Sequence, residues 1–243
     1  MENDNKDDEQ RQLAAMRSFY DSVYHKSAKP ISAVSNHLRR LARKVKIDAG
    51  QQVLDVACGV GEWLLACRER GAVPSGIDLS ENAILACKKT FPEGEFHCMP
   101  AESLPFVDNR FDAVTCLGSL EHFIEPQKAL AEMRRVAKAD AVFLFLVPNS
   151  DFLTRKIGLF KGTYQIDAKE EVRTIEEWHG LFESAGLIVE NSWRDLHVLS
   201  WRWISAGKWH LIPLRAAQAL ALAIWPLRWQ YQIYFLCRSN GKS

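Results

Sequence analysis

No apolar run in this sequence approaches the roughly 20 residues that a membrane-spanning helix needs. Neither sign of charge is in excess: 31 Lys and Arg against 30 Asp and Glu leave a formal net charge of +1. That balance removes the broad basic footprint of a nucleic-acid binder and leaves room only for a local patch. The six cysteines, Cys58, Cys67, Cys87, Cys98, Cys116 and Cys237, include no C-x-x-C pair and have no histidines at zinc-finger spacing. Several lie inside apolar runs, where a thiol behaves as a small hydrophobe, so reduced thiols in a cytoplasmic protein are expected. The first ten residues, MENDNKDDEQ, are acidic and polar, the opposite of a signal or transit peptide. Nothing resembles a Walker lysine motif, no Asn-Pro-Pro-Tyr-type base-flipping motif occurs, and no internal repeat is visible.

What is present is an ordinary globular composition, 47% hydrophobic and 25% charged over 243 residues. It suits one α/β domain with a modest insertion. Residues 1–12 carry little that can pack and are expected to be a disordered tail; residues 13–243 form the single domain. Leu13–Lys26 places Met16, Phe19, Tyr20, Val23 and Tyr24 on one helical face. Pro30 reads as the first turn of a second helix reaching about Lys46. From Gln52 onward short apolar strands alternate with helices. Strands are expected at 52–57, 73–78, 95–98, 111–117, 141–148, from 187, and at 231–238; helices at 62–70, 80–90, 126–138 and from the Thr174/Glu177 capping box to Gly186. That alternation implies a doubly wound, mostly parallel seven-stranded sheet with helices on both faces.

The segment before the last strand departs from this pattern. Over 192–229 it holds six of the eight tryptophans, Trp193, Trp201, Trp203, Trp209, Trp225 and Trp229, and an almost wholly apolar helix, Pro213–Trp225. Three readings stay open for this cap: a wall of an apolar acceptor pocket, a surface for peripheral membrane contact or a homodimer, or an extension of the core.

The chemistry concentrates at Val53–Trp63, VLDVACGVGEW. A buried strand delivers Asp55 into a turn of small residues, Ala57-Cys58-Gly59-Val60-Gly61, and then a helix. Small residues permit positive φ and close backbone approach to a ligand, and open α/β sheets bind ligands outside the carboxyl ends of their strands. Asp78 ends the second strand, where an acid can accept both hydroxyls of a ribose. Alone, it could equally cap the next helix in competition with Ser80. A dinucleotide fingerprint wants a third glycine where Leu64 stands, which disfavours an NAD(P)-dependent enzyme.

These stretches, taken together and in order, resemble the class I S-adenosylmethionine-dependent methyltransferases. VLDVACGVGEW is similar to their first motif, SGIDLSENAI to the second, and PAESLPFVDNRFDAVTCLGSLEHF to the third and fourth, especially in the type 11 (UbiE/UbiG-like) group. The resemblance covers about residues 50–150, and EVRTIEEWHGLFESAGLIV matches the later helix and strand. It implies a Rossmann-like fold, with 13–46 as a helical lid, and S-adenosyl-L-methionine as cofactor. It also implies that Asp55, Ala57, Cys58, Gly59 and Gly61 hold the methionine part and that Asp78 binds the ribose hydroxyls, with Leu79 a further cofactor-binding residue. Ala101 and Glu102 would then lie beside the adenine, with Cys116, Leu117 and Gly118 near the transferred methyl. This sequence departs from the family in three places. Ala57 replaces the first glycine, Pro100 replaces an aspartate that can accept from the adenine amino group, and Ala139-Asp140-Ala141 replaces a glycine pair.

The expected activity is methyl transfer to a small-molecule, lipid-like or glycan acceptor at oxygen. A sulfonium cofactor already carries its leaving group, so few catalytic side chains are needed. His122 is the candidate base, with Glu121 to orient it; as a helix-start residue it could simply pack or cap. UbiG-like enzymes are associated with metal binding through E-x-x-E-H, but Gly118 replaces the first glutamate, so no required metal is expected. Tyr20, Tyr24 and His25 belong to the lid or to an aromatic stripe. His37, His97, His179, His197 and His210 show no ligand spacing. By position alone, Lys161, Gly162 and Tyr164 belong to an acceptor-side flap. Rival functions are a non-catalytic cofactor-binding regulatory module and, less favoured, an NAD(P) enzyme; no nucleic-acid partner is expected.

Overall fold

The computed structural model describes residues 2–156, 158, 170–199, 204–205 and 209–241. Seven strands form one sheet: β1 (Gln52–Val56), β2 (Val73–Asp78), β3 (Glu95–Cys98), β4 (Phe111–Leu117), β5 (Ala137–Pro148), β6 (Leu187–Arg194) and β7 (Gln232–Ser239). Their spatial order is β3-β2-β1-β4-β5-β7-β6. The pairs from β3 to β5 are parallel, and only β7 runs antiparallel, to both β5 and β6. The order reverses between β1 and β4, so the carboxyl edge there is a topological switch point. The expected Rossmann-like, mostly parallel sheet is the observed one.

The core lies in two layers because the central strands are buried on both faces. One layer packs Phe111, Phe143, Phe145, Trp178, Phe182 and Phe235; the other packs Val53, Leu64, Cys67, Phe91, Leu144 and Tyr234. On the second face sit α2 (Asn36–Lys44), α3 (Glu62–Arg68) and α4 (Glu81–Thr90); on the first, α5 (Pro126–Val136) and, beyond the short α6 (Leu153–Lys156), α7 (Ile175–Ser184). Helix α7 begins at the expected capping box: Glu177 N donates to the Thr174 hydroxyl at 3.2 Å, and Thr174 N donates to the Glu177 carboxylate at 2.7 Å.

Three local expectations differ from the structure. Helix α1 spans Glu2–Phe19 and continues as a π-turn over Tyr20–Tyr24, so it runs through the stretch read as a tail. Gln, Glu, Arg and Ala there are good helix formers even without an apolar face. Pro30 does not start α2. The chain stays extended to Ser35, Ile31 N donates to the Thr90 hydroxyl at 3.2 Å, and Ser35 caps the helix by accepting from Leu38 N. Strand β5 also begins earlier than its apolar run, because Phe111 pairs with Ala137 before a register shift.

The tryptophan-rich segment does not behave as one unit. Trp193 lies on β6, its ring stacked on Tyr234 at 5.6 Å with Lys44 Nζ 3.7 Å from its centroid. The apolar helix expected from residue 213 is α8 (Ile212–Ile224). Trp225 and Trp229 are half-buried, Trp209 is exposed, and Trp201 and Trp203 lie outside the described residues, as do Lys161, Gly162 and Tyr164.

Candidate active site

The carboxyl ends of β1, β2 and β4 open into a cavity of about 440 Å³. Its floor is the β1–α3 turn. Cys58 N donates to Ile77 O and Gly61 N to Cys58 O, each at 2.9 Å, which folds the turn back onto β2. Ala57, Gly59 and Gly61 all have left-handed φ, of 62°, 51° and 84°. Gly61 tolerates no side chain, since a Cβ would stand 2.6 Å from Phe91 Cε2. Two prolonged strands would leave no such cradle; the small residues create it.

Asp78 closes one side of this floor. Its carboxylate accepts from Gly59 N and Ser80 N, both at 2.8 Å, so the acid joins the β1 turn to the start of α4. Burial nevertheless holds its pKa above the usual carboxylate range. The question of which residue caps α4 is thereby resolved: Ser80 does, accepting from Ala83 N at 3.2 Å. Asp55 is buried deeper. Thr115 Oγ1 donates to it at 2.6 Å, yet burial raises its pKa to about 7.

The N-terminal segment covers the cavity. Leu13, Met16, Tyr20, Tyr24 and His25 line it, and the His25 ring lies directly over Gly59. Asp21 fastens the segment at the start of α4, accepting from Ser80 Oγ at 2.6 Å and Asn82 N at 3.3 Å. Arg17 also donates to Cys98 Sγ at 2.6 Å. Tyr20, inside the cover, is pushed up to about 12 by burial first and then by Asp78 and Glu121, so its hydroxyl stays protonated.

Most of the expected site residues converge here. Asp55, Ala57, Cys58, Gly59, Asp78, Leu79, Ala101, Glu102, Leu117, Gly118 and His122 all line the cavity. Three do not. Gly61 sits beneath the turn as the N-cap of α3, Cys116 is fully buried behind β4, and Glu121 lies under the wall. Cys116 turns inward because successive side chains of β4 alternate between faces, and Glu121 because successive side chains of the 3-10 turn Leu120–His122 point about 120° apart. Glu121 Oε2 has no hydrogen-bond partner among the described residues, and burial raises the group to about 7. Glu102 also holds the start of α5, accepting from Glu125 N at 3.2 Å. Pro100, standing where the family pattern has an aspartate, lines the cavity beside them.

Sequence reasoning passed over Trp63. It lines the cavity, is 3% exposed, and its indole Nε1 is buried with no hydrogen-bond partner among the described residues. A buried donor costs free energy unless something accepts from it, so it suits a ligand acceptor. The only signal was its place at the close of the glycine-rich motif. Met99, Ser119 and Phe123 are further wall residues of the same kind.

Residues 54–145 match the family described as "Methyltransferase domain". The turn, the acid ending β2 and the β4 loop therefore carry the family pattern in order and in one cavity. This stretch of the chain is similar to that methyltransferase family. The chain is 37% identical over 132 residues to the demethylmenaquinone methyltransferase of Renibacterium salmoninarum, covering 52% of this chain and 54% of that one. It is 32% identical over 107 residues to a ubiquinone biosynthesis O-methyltransferase of Coxiella burnetii, covering 42% and 46%. The match thus spans about half the length of these relatives. Its fold is that of the Burkholderia thailandensis 1,6-didemethyltoxoflavin-N1-methyltransferase, with a TM-score of 0.63 at 16% identity over 95% and 89% of the chains.

The cavity passes a direct test for a nucleoside-sulfonium cofactor. It offers a turn of small residues in left-handed conformation at Ala57 and Gly59, a carboxylate at a strand end in Asp78, and, in the wall residue Trp63, a buried indole donor with no partner among the described residues. No group of three or more metal-ligating side chains occurs among the described residues.

Proposed function

We propose that this protein transfers a methyl group from S-adenosyl-L-methionine to a small, lipid-like acceptor at oxygen. The observation that carries the reading is the convergence of Asp78, the Ala57–Gly61 turn, Ala101-Glu102 and His122 on one covered cavity. The cofactor supplies a methyl group already bonded to a good leaving group. The chain does the rest. Asp78 accepts from ribose hydroxyls, Trp63 donates from its indole nitrogen, and Ala101 and Glu102 flank the base. Tyr20, Tyr24 and His25 close over the turn and exclude water. His122, at the wall, takes the acceptor proton. Glu121 does not line the cavity, so its part is positional rather than to touch substrate: its carbonyl accepts from Glu171 N at 2.8 Å and anchors the turn that carries His122. Relatives named for demethylmenaquinone and ubiquinone favour a quinone-related acceptor over a glycan, and the O-methyltransferase name favours oxygen.

The test has two arms. Calorimetry should show binding of S-adenosylhomocysteine that Asp78→Ala weakens at least tenfold. Label from S-adenosylmethionine should then enter the lipid-soluble fraction of host extract. Absence of binding together with a silent Asp78→Ala sinks the whole reading. Binding without turnover, and a silent His122→Ala, would make the protein a regulatory cofactor-binding module.

A further inference from the structure

Helix α8 shows its apolar side to solvent. Leu214, Leu220 and Ile224 are 66%, 65% and 81% exposed, and they share one helical face with Pro213 and Ala217. Gln218 is the polar member of that face. The inward side, by contrast, buries only Ala219 fully. Trp209, just before the helix, is 80% exposed. Isolated apolar residues on a surface need no explanation, but a whole helix face does.

Charge decides what covers it. None of the chain's 30 acidic residues falls after Asp195, whereas Arg202, Lys208, Arg215, Arg228, Arg238 and Lys242 do. Of these, Arg215 lies on α8 and Arg228 just past it, and with no acid in the sequence after Asp195 they give the exposed apolar face a basic flank that complements an anionic surface. The exposed Arg228 follows the helix at the end where Trp225 and Trp229 stand. Amphipathic tryptophans, arginine and a flat apolar face are the chemistry of a helix lying in a lipid interface. At 13 residues the helix is about 20 Å long, and no described helix is long and apolar enough to cross a membrane.

Topology fixes where such a helix would put the site. Strand β6 is parallel to the central strands and β7 antiparallel, so the segment joining them leaves and re-enters at the carboxyl edge of the sheet. That is the edge where the methyl-donor cavity opens. Arg194, the last residue of β6, donates to Ala223 O and ties α8 to that rim. Asn149, just past β5, donates to Arg228 O at 3.0 Å and Gln230 O at 3.1 Å.

We propose that α8 and its flanking tryptophans dock this protein on an anionic lipid bilayer, with the cavity edge turned toward the membrane. The docking does not depend on methyl transfer and is measured without it. The full chain, free of cofactor, is sedimented with vesicles of pure phosphatidylcholine and with vesicles containing phosphatidylglycerol. Binding is expected to the anionic vesicles, weakened by salt, with tryptophan emission quenched by brominated lipid. The double substitution Leu220→Glu and Ile224→Glu should lower vesicle affinity at least tenfold. Both side chains are exposed, so the unfolding midpoint should not move; Trp209→Ser tests the same surface at a site outside the helix. No sedimentation at low salt overturns the proposal, as does binding that none of these variants alters. So does a dimer that the same variants dissociate in a protein that ignores vesicles, which would assign the face to a second copy.

Discussion

The turn under the cavity makes a quantitative demand at Gly61. Replacing it by alanine imposes two costs. The backbone there has φ of 84°, and a left-handed non-glycine residue costs about 1–2 kcal/mol. The new Cβ would also meet Phe91 Cε2 at 2.6 Å, Cys87 Sγ at 3.2 Å and Phe91 Cζ at 3.3 Å. Phe91 cannot easily yield. It is fully buried, stacked on Phe96 at 5.6 Å, and has the Arg68 guanidinium 4.8 Å above its ring. Overpacking of this kind costs about 1–3 kcal/mol, so Gly61→Ala should lose about 2–5 kcal/mol in total. That is a large part of the stability of a domain held by about 5–15 kcal/mol. Ala57→Gly is the internal control. It relieves a φ of 62° with no new contact, but glycine adds comparable freedom to the unfolded chain, so the change should stay within about 1 kcal/mol. Urea unfolding followed by tryptophan fluorescence measures both. A Gly61→Ala loss under about 1 kcal/mol would refute the packing argument.

Other outcomes follow from buried groups. Asp55 is raised to about 7, so the native state holds a proton that the unfolded state releases from about pH 4. Its contribution is therefore full below that pH and is lost as pH rises through 7. Asp55→Asn, which keeps an acceptor for Thr115, should flatten the fall in urea midpoint across this window, and an unchanged slope would contradict the assignment. Trp63→Phe removes the orphaned donor and should weaken S-adenosylhomocysteine binding about two- to tenfold by calorimetry; equal affinity would mean that the indole faces no ligand. Glu121 is also raised to about 7 by burial, so it ionises near neutrality and its contribution to stability is likewise lost as pH rises through 7. Glu121→Gln should flatten the fall in urea midpoint across about pH 5–8, whereas an unchanged slope would contradict a protonated buried carboxyl there.

Much of this was legible before folding because it is written locally. The strand-turn-helix at 53–63 follows from β-branched residues, then small residues, then a helical pattern. Thr174 and Glu177 are three residues apart and cap their helix through contacts within one turn. Misreadings arose where local signals competed. Pro30 is a good first-turn residue, but Ser35 captured the cap and Thr90 captured the Ile31 amide, both through packing that spacing does not reveal. The inward turn of Cys116 and Glu121 depends on strand phase and a single 3-10 turn, so neighbours in one motif separate into wall and core.

The sequence by itself determined the parallel sheet, the donor motif and the order of its parts, since these rest on short-range pattern. Only the tertiary structure decided that the wall residue Trp63 keeps a buried donor with no partner among the described residues and that Asp21 fastens the cover at Ser80. It also gathered His37 and His197, with no spacing in common, around the buried Asp195. The tryptophan-rich segment divided in the same way. Its composition announced an apolar surface, but whether each residue packs or faces water depends on what the sheet leaves room for. Trp193 found Tyr234 and joined the sheet, whereas Leu220 and Ile224 found no partner on the far side of α8.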